Sequence, residues 1–135
     1  MSERLVLDSF ALVALLHKEP GWQRVQAALY EQEKARTRAL LNWINWGEFF
    51  YIIKRRVGAA KAEEALRLLE QLPLELVPVD QALVRTAAEI KSAYSISYAD
   101  AFCVATVQRV NGVVLTNDQE FRAVEQLITI RWLIG

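Results

Sequence analysis

Four acidic residues share one kind of position along the chain, because each lies at or just inside the predicted start of a helix. They are Asp8, Glu48, Asp100 and Asp118. Asp8 and Asp118 also follow short apolar runs, which are typical of buried parallel strands. In an open α/β sheet, ligands bind in the crevice beyond the carboxyl ends of such strands. We therefore expect the four acids to converge on one edge of a sheet.

Such a cluster of carboxylates would be suited to binding a divalent cation. Carboxylates that lie within a few ångströms of one another raise each other's pKa, so the cluster is unfavourable unless a cation compensates the charge. Oxygen ligands without histidine or cysteine suit Mg²⁺ or Mn²⁺. Ions of this kind activate a nucleophilic water and neutralise charge on a phosphodiester, which makes hydrolysis of such a bond the predicted chemistry.

Taken one at a time, the same acids also fit a purely structural role. A carboxylate at a helix start accepts hydrogen bonds from free backbone N–H groups and interacts favourably with the helix dipole. Two of them stand three residues after a potential capping residue, Glu48 after Asn45 and Asp100 after Ser97, which is the capping-box spacing. The pattern predicts Asn45 as the N-cap of a helix that begins at Trp46.

Apolar runs alternate with helical patterns along the whole chain. The predicted strands lie at Leu5–Leu7, Ala39–Leu41, Leu74–Val79, Gly112–Asn117 and Ile128–Leu133. The predicted helices begin near Phe10, Trp22, Trp46, Ala59, Asp80, Ser95 and Asp118. This alternation favours a three-layer α/β/α sandwich around a mostly parallel sheet. Because proline cannot donate to a sheet ladder, Pro78 favours an edge position for the third strand.

Length and composition predict one intracellular domain over residues 1–135. Hydrophobic residues make up 53% of the chain, and 16 basic side chains balance 16 acidic ones. Affinity for a nucleic acid would therefore depend on a local basic patch. A single cysteine, Cys103, and a single histidine, His17, exclude an internal disulfide and a Cys/His zinc site. Charged residues early in the chain argue against a signal peptide or membrane anchor, so we expect a soluble, cytoplasmic protein.

Four segments, in this order, resemble the successive motifs of PIN-domain ribonucleases, and most of all those of the VapC toxins of toxin–antitoxin pairs. The segments are Leu7-Asp8-Ser9-Phe-Ala-Leu12, Asn45-Trp-Gly-Glu48, Ser97-Tyr-Ala-Asp100-Ala-Phe102 and Leu115-Thr-Asn-Asp118-Gln-Glu-Phe121. The resemblance covers nearly the whole chain. It implies a PIN-like fold and the activity of an endoribonuclease toxin.

The resemblance also assigns roles to individual residues. It makes Asp8, Glu48, Asp100 and Asp118 a quartet that holds one or two Mg²⁺ or Mn²⁺ ions. The family's supporting residues correspond to Ser9, Thr116 and Asn117, the last of which stands where many members have glycine. The implied reaction is hydrolysis of an RNA phosphodiester by a metal-activated water, without a covalent intermediate. The implied partners are a second copy of the chain and a cognate antitoxin that reaches the acidic pocket with a basic side chain.

Two other classes of protein remain as alternatives. One is a phosphotransfer domain, such as a receiver or a haloacid-dehalogenase-like phosphatase. It would need a further acid beside Asp8 or two residues after it, but this chain has Ser9 and Phe10 there. It would also need a lysine late in the chain, where the last strand carries Arg131. A PIN-like module that only binds protein or RNA has no need of the four acids together.

Basic and aromatic residues outside the quartet allow two interpretations. The basic ones, Lys34, Arg36, Arg38, Lys54, Arg55 and Arg56, either contact RNA or lie on a solvated surface. Trp43 and Trp46 either stack on a base or fill the core. The helices that contain Tyr51 and Leu69 are the predicted dimer surface.

Overall fold

The computed structural model describes residues 3–134, and their strands form a single sheet with helices on both faces. In chain order the elements are β1 (Leu5–Leu7), α1 (Ser9–His17), α2 (Trp22–Lys34), β2 (Ala39–Asn42), α3 (Trp43–Val57), α4 (Ala59–Glu70), β3 (Leu74–Val77), α5 (Gln81–Ala93), α6 (Tyr98–Val110), β4 (Val113–Thr116), a 3₁₀ helix (Gln119–Val124) and β5 (Thr129–Trp132). Within residues 3–134, no helix combines the length and the apolar character needed to cross a membrane.

The five strands are all parallel and lie in the order β3-β2-β1-β4-β5. The chain moves outward from β1 to β3 on one side and from β4 to β5 on the other, so the order reverses between β1 and β4. In an open α/β sheet this reversal opens a crevice at the carboxyl ends of the two central strands. The arrangement confirms the predicted three-layer α/β fold.

Alternating side chains of the central strands divide the core into two layers. Leu5 and Leu7 of β1 pack with α1, α2, α3 and α4 on one face of the sheet. Val6 of β1 and Val114 of β4 pack with α5, α6 and the 3₁₀ helix on the other face. All of these strand residues are buried, which explains why the strands are apolar at successive positions.

Gly112 allows the first and fourth strands to begin at the same level. A Cβ atom on Gly112 would lie 2.3 Å from the carbonyl oxygen of Arg4, so a larger residue would separate the two segments. The same carbonyl accepts the Val113 N–H at 2.9 Å. The register that follows pairs Leu7 with Leu115, and it brings the next residues, Asp8 and Thr116, to the same edge of the sheet.

Several predicted boundaries are confirmed. The Asp80 side chain caps α5 by accepting the Leu83 N–H at 2.8 Å. Gly58 ends α3 with a φ of 91°, a conformation that favours glycine. The strand that precedes Pro78 is β3, and it lies at the edge of the sheet.

The predicted start of α3 is wrong. The helix begins at Trp43, and the N-cap is Asn42, whose Oδ1 accepts the Asn45 N–H at 2.9 Å. Asn42 and Asn45 both have a suitable side chain, but β2 ends at Asn42, so the chain enters the helix one turn earlier than the pattern suggested. Glu48 consequently lies in the second turn and takes no part in a capping box.

Candidate active site

The predicted acids meet at the carboxyl edge of β1 and β4. Asp8 directly follows β1, and Asp118 follows β4 after one residue, Asn117. Glu48 reaches the same edge from α3, and the remaining predicted acid stands in the first turn of α6. The topology therefore brings together the acids that the sequence separates by more than a hundred positions.

Asp8 is fully buried and hydrogen-bonded through both carboxylate oxygens. Oδ1 accepts the Ala11 N–H at 2.9 Å, which makes Asp8 the N-cap of α1 as well as a member of the cluster. Oδ2 accepts the Thr116 hydroxyl at 2.5 Å. Burial raises the pKa of Asp8 to about 7, against the lowering effect of these two hydrogen bonds, and the charges of Asp118 and Glu48 raise it further. Capping and clustering are thus compatible roles for this residue.

Glu48 is held in place by the residue that follows Asp8. The Ser9 hydroxyl donates to Oε1 of Glu48 at 2.5 Å and so links α1 to α3. Burial raises the pKa of Glu48, the Ser9 hydrogen bond lowers it, and the charge of Asp118 raises it. Ser9 and Thr116 therefore each donate a hydrogen bond to one acid of the cluster, and their role as supporting residues of a catalytic site stays a prediction.

Asp100 is the least satisfied acid of the cluster. Its residue is only 2% exposed, and Oδ1 is the one buried side-chain oxygen or nitrogen in residues 3–134 that lacks a hydrogen-bond partner. Burial, together with contact between its carboxyl group and those of Asp118 and Glu120, raises the pKa of Asp100 to about 10. Burial and neighbouring carboxyl groups thus disfavour the charged form of Asp100 unless a cation compensates the charge.

Three carboxylates lie close enough together to share one ion. Asp100, Asp118 and Glu120 each place an oxygen atom within 4.8 Å of the other two. Three neighbouring carboxylates, one of which has a buried oxygen without a hydrogen-bond partner in the described part of the chain, fit a hard divalent cation such as Mg²⁺ or Mn²⁺. The predicted cofactor is therefore compatible with the side chains that the fold assembles.

Glu120 belongs to this cluster although the sequence pattern did not predict it. Asp118 Oδ1 caps the 3₁₀ helix by accepting the Glu120 N–H at 3.0 Å, and Oε1 of Glu120 accepts the Ser97 N–H at 3.0 Å. Glu120 thus joins the segment after β4 to the start of α6. The Asp118-Gln-Glu120 spacing directly after a strand was the available signal.

Asn117 lies half-buried between Thr116 and Asp118. Among residues 3–134 its side chain takes part in no hydrogen bond, whereas the Thr116 hydroxyl accepts the Asp118 N–H at 3.0 Å. A supporting role for Asn117 stays a prediction.

A buried polar network fixes the distance between α3 and α6. Asn42 donates through Nδ2 to Oδ1 of Asn45 at 2.9 Å and to the Thr106 hydroxyl at 3.1 Å. Asn45 in turn donates to the carbonyl oxygen of Ala99 at 3.1 Å, directly before Asp100. Because a buried polar group without a partner is costly, this network is sensitive to any change in helix spacing. It therefore sets Glu48 and Asp100 at a defined separation.

A family model described as the PIN domain matches residues 5–127. This chain belongs to the PIN domain family. The matched residues include every acid of the cluster, and the family membership leaves the phosphotransfer alternative without support. No curated protein matches the chain in sequence.

Solved structures with this PIN fold include toxin–antitoxin complexes at low sequence identity. A chain in the VapBC2 complex of Rickettsia felis, bound to a DNA fragment from its promoter, has a TM-score of 0.76 at 14% identity, with 95% of this chain and 97% of that chain covered. VapC20 of Mycobacterium tuberculosis, a toxin that cleaves the sarcin–ricin loop, has a TM-score of 0.72 at 18% identity, with coverage of 89% and 94%. A toxin–antitoxin complex from Klebsiella pneumoniae has a TM-score of 0.71 at 17% identity, with coverage of 97% and 98%.

The remaining residues that the sequence singled out are distributed over several surfaces of this PIN domain. Arg36 and Arg38 precede β2 and therefore lie toward the amino edge of the sheet, opposite the acids. Trp43 and Trp46 make an edge-to-face pair with ring centroids 5.3 Å apart, and both line a cleft against α4 and β3. Leu69, which belongs to one of the two helices predicted to form the dimer surface, is itself buried in the core and only 8% exposed.

Proposed function

We propose that this PIN domain is a Mg²⁺- or Mn²⁺-dependent endoribonuclease and the toxin component of a toxin–antitoxin pair. The observation that carries the proposal is that Asp100, whose buried Oδ1 has no hydrogen-bond partner among the described residues, shares a cluster of carboxylates with Asp118 and Glu120. A site built to hold a cation explains both the orphaned oxygen and the clustering of like charge.

In the proposed reaction, Asp100, Asp118 and Glu120 hold the metal, with Asp8 and Glu48 completing the acidic wall. When bound there, such an ion would supply activation of a water nucleophile and neutralisation of charge on the phosphodiester. Thr116 holds the Asp8 carboxylate and Ser9 holds that of Glu48, so neither acid has to reorganise when substrate arrives. Ser97 orients Glu120 through its backbone N–H. No side chain is assigned a covalent role.

The proposed partners follow from the fold and from the acidity of the site. The structural neighbours include toxins crystallised as toxin–antitoxin complexes, which supports a cognate antitoxin for this chain as well. A concentration of carboxylates is complementary to a basic side chain, and we expect the antitoxin to insert one there. A second copy of the chain and a cytoplasmic site of action belong to the same proposal.

The proposal is tested by incubating purified, antitoxin-free protein with cellular RNA in Mg²⁺, Mn²⁺ or excess EDTA. We expect discrete fragments that require the metal and that disappear with Asp100→Asn. The matched control is Asp80→Asn, because Asp80 is also an aspartate beside a helix start but caps α5 and pairs with Arg109 at 2.7 Å. It should cleave like the wild type.

Calorimetric titration with Mn²⁺ distinguishes the nuclease from a PIN-like module that only binds a partner. A nuclease binds the ion, and Asp100→Asn weakens that binding. Folded wild-type protein that neither binds Mn²⁺ nor cleaves RNA would support the non-catalytic alternative.

A further inference from the structure

One face of α3 continues the acidic site toward solvent. Tyr51 and Arg55 follow Glu48 by three and seven residues, so the three side chains lie along one stripe of the helix. Tyr51 is 48% exposed, whereas Glu48 is half-buried against Ser9. The stripe therefore begins within the acidic cluster and ends on an open surface.

Arg55 is the one member of its basic run that is aligned with this stripe. Its guanidinium lies over the Tyr51 ring, 5.3 Å from the centroid, and within residues 3–134 it has no carboxylate partner. The neighbouring Arg56 is instead paired with Glu19 at 2.9 Å. Because side chains tilt toward the helix N-terminus, Arg55 extends along the stripe toward Glu48.

The space beside Glu48 on this helix is open. A Cβ atom on Gly47 would meet no atom within 4 Å apart from its two chain neighbours and the helix's own backbone. Tyr51 lies four residues later on the same side of the helix, and no atom of its ring comes within 4 Å of that Cβ position. The same surface thus carries the Glu48 carboxylate, the open shelf beside Gly47, the exposed Tyr51 ring and the unpaired Arg55 guanidinium.

We propose that this stripe binds the single-stranded RNA substrate on one side of the scissile phosphate. A base stacks on Tyr51, and a phosphate of the same strand pairs with Arg55, while the scissile phosphate lies at the acidic cluster. The inference rests on the proposed nuclease function and adds the residues that position its substrate. Aromatic stacking combined with a cation is how proteins hold single strands without reading their sequence.

The alternatives within the chain fit an RNA strand less well. Trp43 is five residues before Glu48, which places it about 140° away around α3. It also packs on Trp46 rather than beside the acids. Arg36 and Arg38 lie toward the opposite edge of the sheet. Arg55 has no carboxylate partner within residues 3–134 and is aligned with carboxylates that are suited to metal-assisted phosphodiester hydrolysis. A protein partner would not require this alignment, whereas an RNA strand would place one phosphate on Arg55 and another at the acids. The charges therefore favour RNA as the occupant.

The test measures RNA affinity separately from cleavage. The probe is an end-labelled, mixed-sequence single-stranded RNA of about 12 nucleotides, within the range that one single-strand-binding surface covers. Fluorescence anisotropy in Mg²⁺ gives its Kd for protein carrying Asp100→Asn, which prevents cleavage. In that background we expect Tyr51→Ala to raise Kd about tenfold through the loss of one stacked base. Arg55→Gln should also raise Kd and reduce the salt slope of log Kd by about 0.7, the share of one phosphate contact.

Two conservative variants and one matched pair provide the controls. Tyr51→Phe keeps the ring and should bind RNA like the parent, while Arg55→Lys keeps the charge and should retain the salt slope. On α2, Tyr30 is 63% exposed and Lys34 lies over its ring at 5.7 Å, with the same spacing in the helix. Tyr30→Ala and Lys34→Gln remove an equivalent aromatic–cation pair that is not aligned with the acids, and neither should change Kd.

The result that overturns the proposal is an unchanged Kd for both Tyr51→Ala and Arg55→Gln in folded protein. If Tyr51→Ala instead converts dimers to monomers in analytical ultracentrifugation and leaves the Kd per protomer unchanged, the stripe is a contact between two copies and the RNA proposal is wrong. Failure of the nuclease proposal is a separate result, because it shows as absent cleavage and absent Mn²⁺ binding by the wild type.

Discussion

The Thr116 hydroxyl donates to Oδ2 of Asp8 at 2.5 Å, across the two strands between which the sheet order reverses. The same hydroxyl accepts the Asp118 N–H at 3.0 Å, so a single side chain connects the acid after β1 with the acid after β4. Thr116 is fully buried, so removing its hydroxyl would leave buried polar groups without a partner. The small hydroxyl at this position therefore determines the shape of the candidate metal site.

Replacing Thr116 with valine should keep the packing and remove both hydrogen bonds. We expect the free energy of unfolding to fall by about 1–3 kcal/mol, because two buried polar groups lose a partner. The pKa of Asp8 should rise, since the Thr116 hydrogen bond lowers it, and Mn²⁺ binding should then need a higher pH. Urea unfolding and calorimetric titration across pH measure the two effects. Thr116→Ser keeps the hydroxyl and is the control; equal behaviour of the two variants would contradict the assignment.

The pH dependence of stability follows from the two raised pKa values. Asp8 and Asp100 have folded pKa values of about 7 and about 10, above their ordinary value of 3.8. From about pH 5 to about pH 7, the folded protein holds protons that the unfolded chain has released, so metal-free protein should lose stability as pH rises. For each such proton, the free energy of unfolding falls by at most about 1.4 kcal/mol per pH unit.

Urea unfolding in EDTA measures how steeply the free energy of unfolding falls with pH, and Asp100→Asn should make this slope shallower. The lowered pKa of Asp80 acts in the opposite direction, but only as pH falls below the ordinary range of an aspartate, outside this window. Added Mn²⁺ should restore stability most at the higher pH, where the acids release their protons to the ion. A metal-free protein that becomes more stable with rising pH would contradict the clustering of unpaired carboxyl groups.

Glu120 should contribute to metal binding through its charge. Glu120→Gln keeps an oxygen that can accept the Ser97 N–H, so the geometry is preserved while one negative charge is lost. We expect Mn²⁺ affinity to fall about tenfold, the lower end of losses caused by changes around a metal site. Glu125→Gln, on the same segment but paired with Arg122, is the matched control. Equal affinities of the two variants would remove Glu120 from the site.

The fold was predictable because each strand and helix signals its own class locally. The run ending at Asp8 is apolar on both faces since β1 is covered by helices on both sides, and Pro78 marks an edge strand because it cannot donate to a neighbour. The alternation of such runs with helices then leaves few topologies. Each of these patterns depends only on residues that are close together in the sequence.

The details that failed depend on contacts that a local pattern does not contain. Asn42 and Asn45 are both good N-cap residues, and the choice between them is made by the end of β2 and by the hydrogen bonds to Thr106 and Ala99. Glu120 looked like an ordinary residue of a short helix, because its role depends on Ser97 more than twenty positions earlier. Convergence of Asp8, Glu48, Asp100 and Asp118 could be expected from topology, whereas the position of Glu120 beside Asp100 and Asp118 depends on the folded structure.

A substitution at Gly47 should affect helix stability and RNA binding in different directions. It lies inside α3 with no positive φ, where glycine is less favourable than alanine by about 0.5–1 kcal/mol. A Cβ there would contact nothing outside the helix, so Gly47→Ala should raise the free energy of unfolding by about that amount in urea. If RNA crosses the open shelf beside Glu48, the added methyl group should raise KM for RNA cleavage while leaving Mn²⁺ affinity unchanged. A more stable variant with an unaltered KM would place the strand elsewhere, and a less stable variant would show that the shelf is filled in solution.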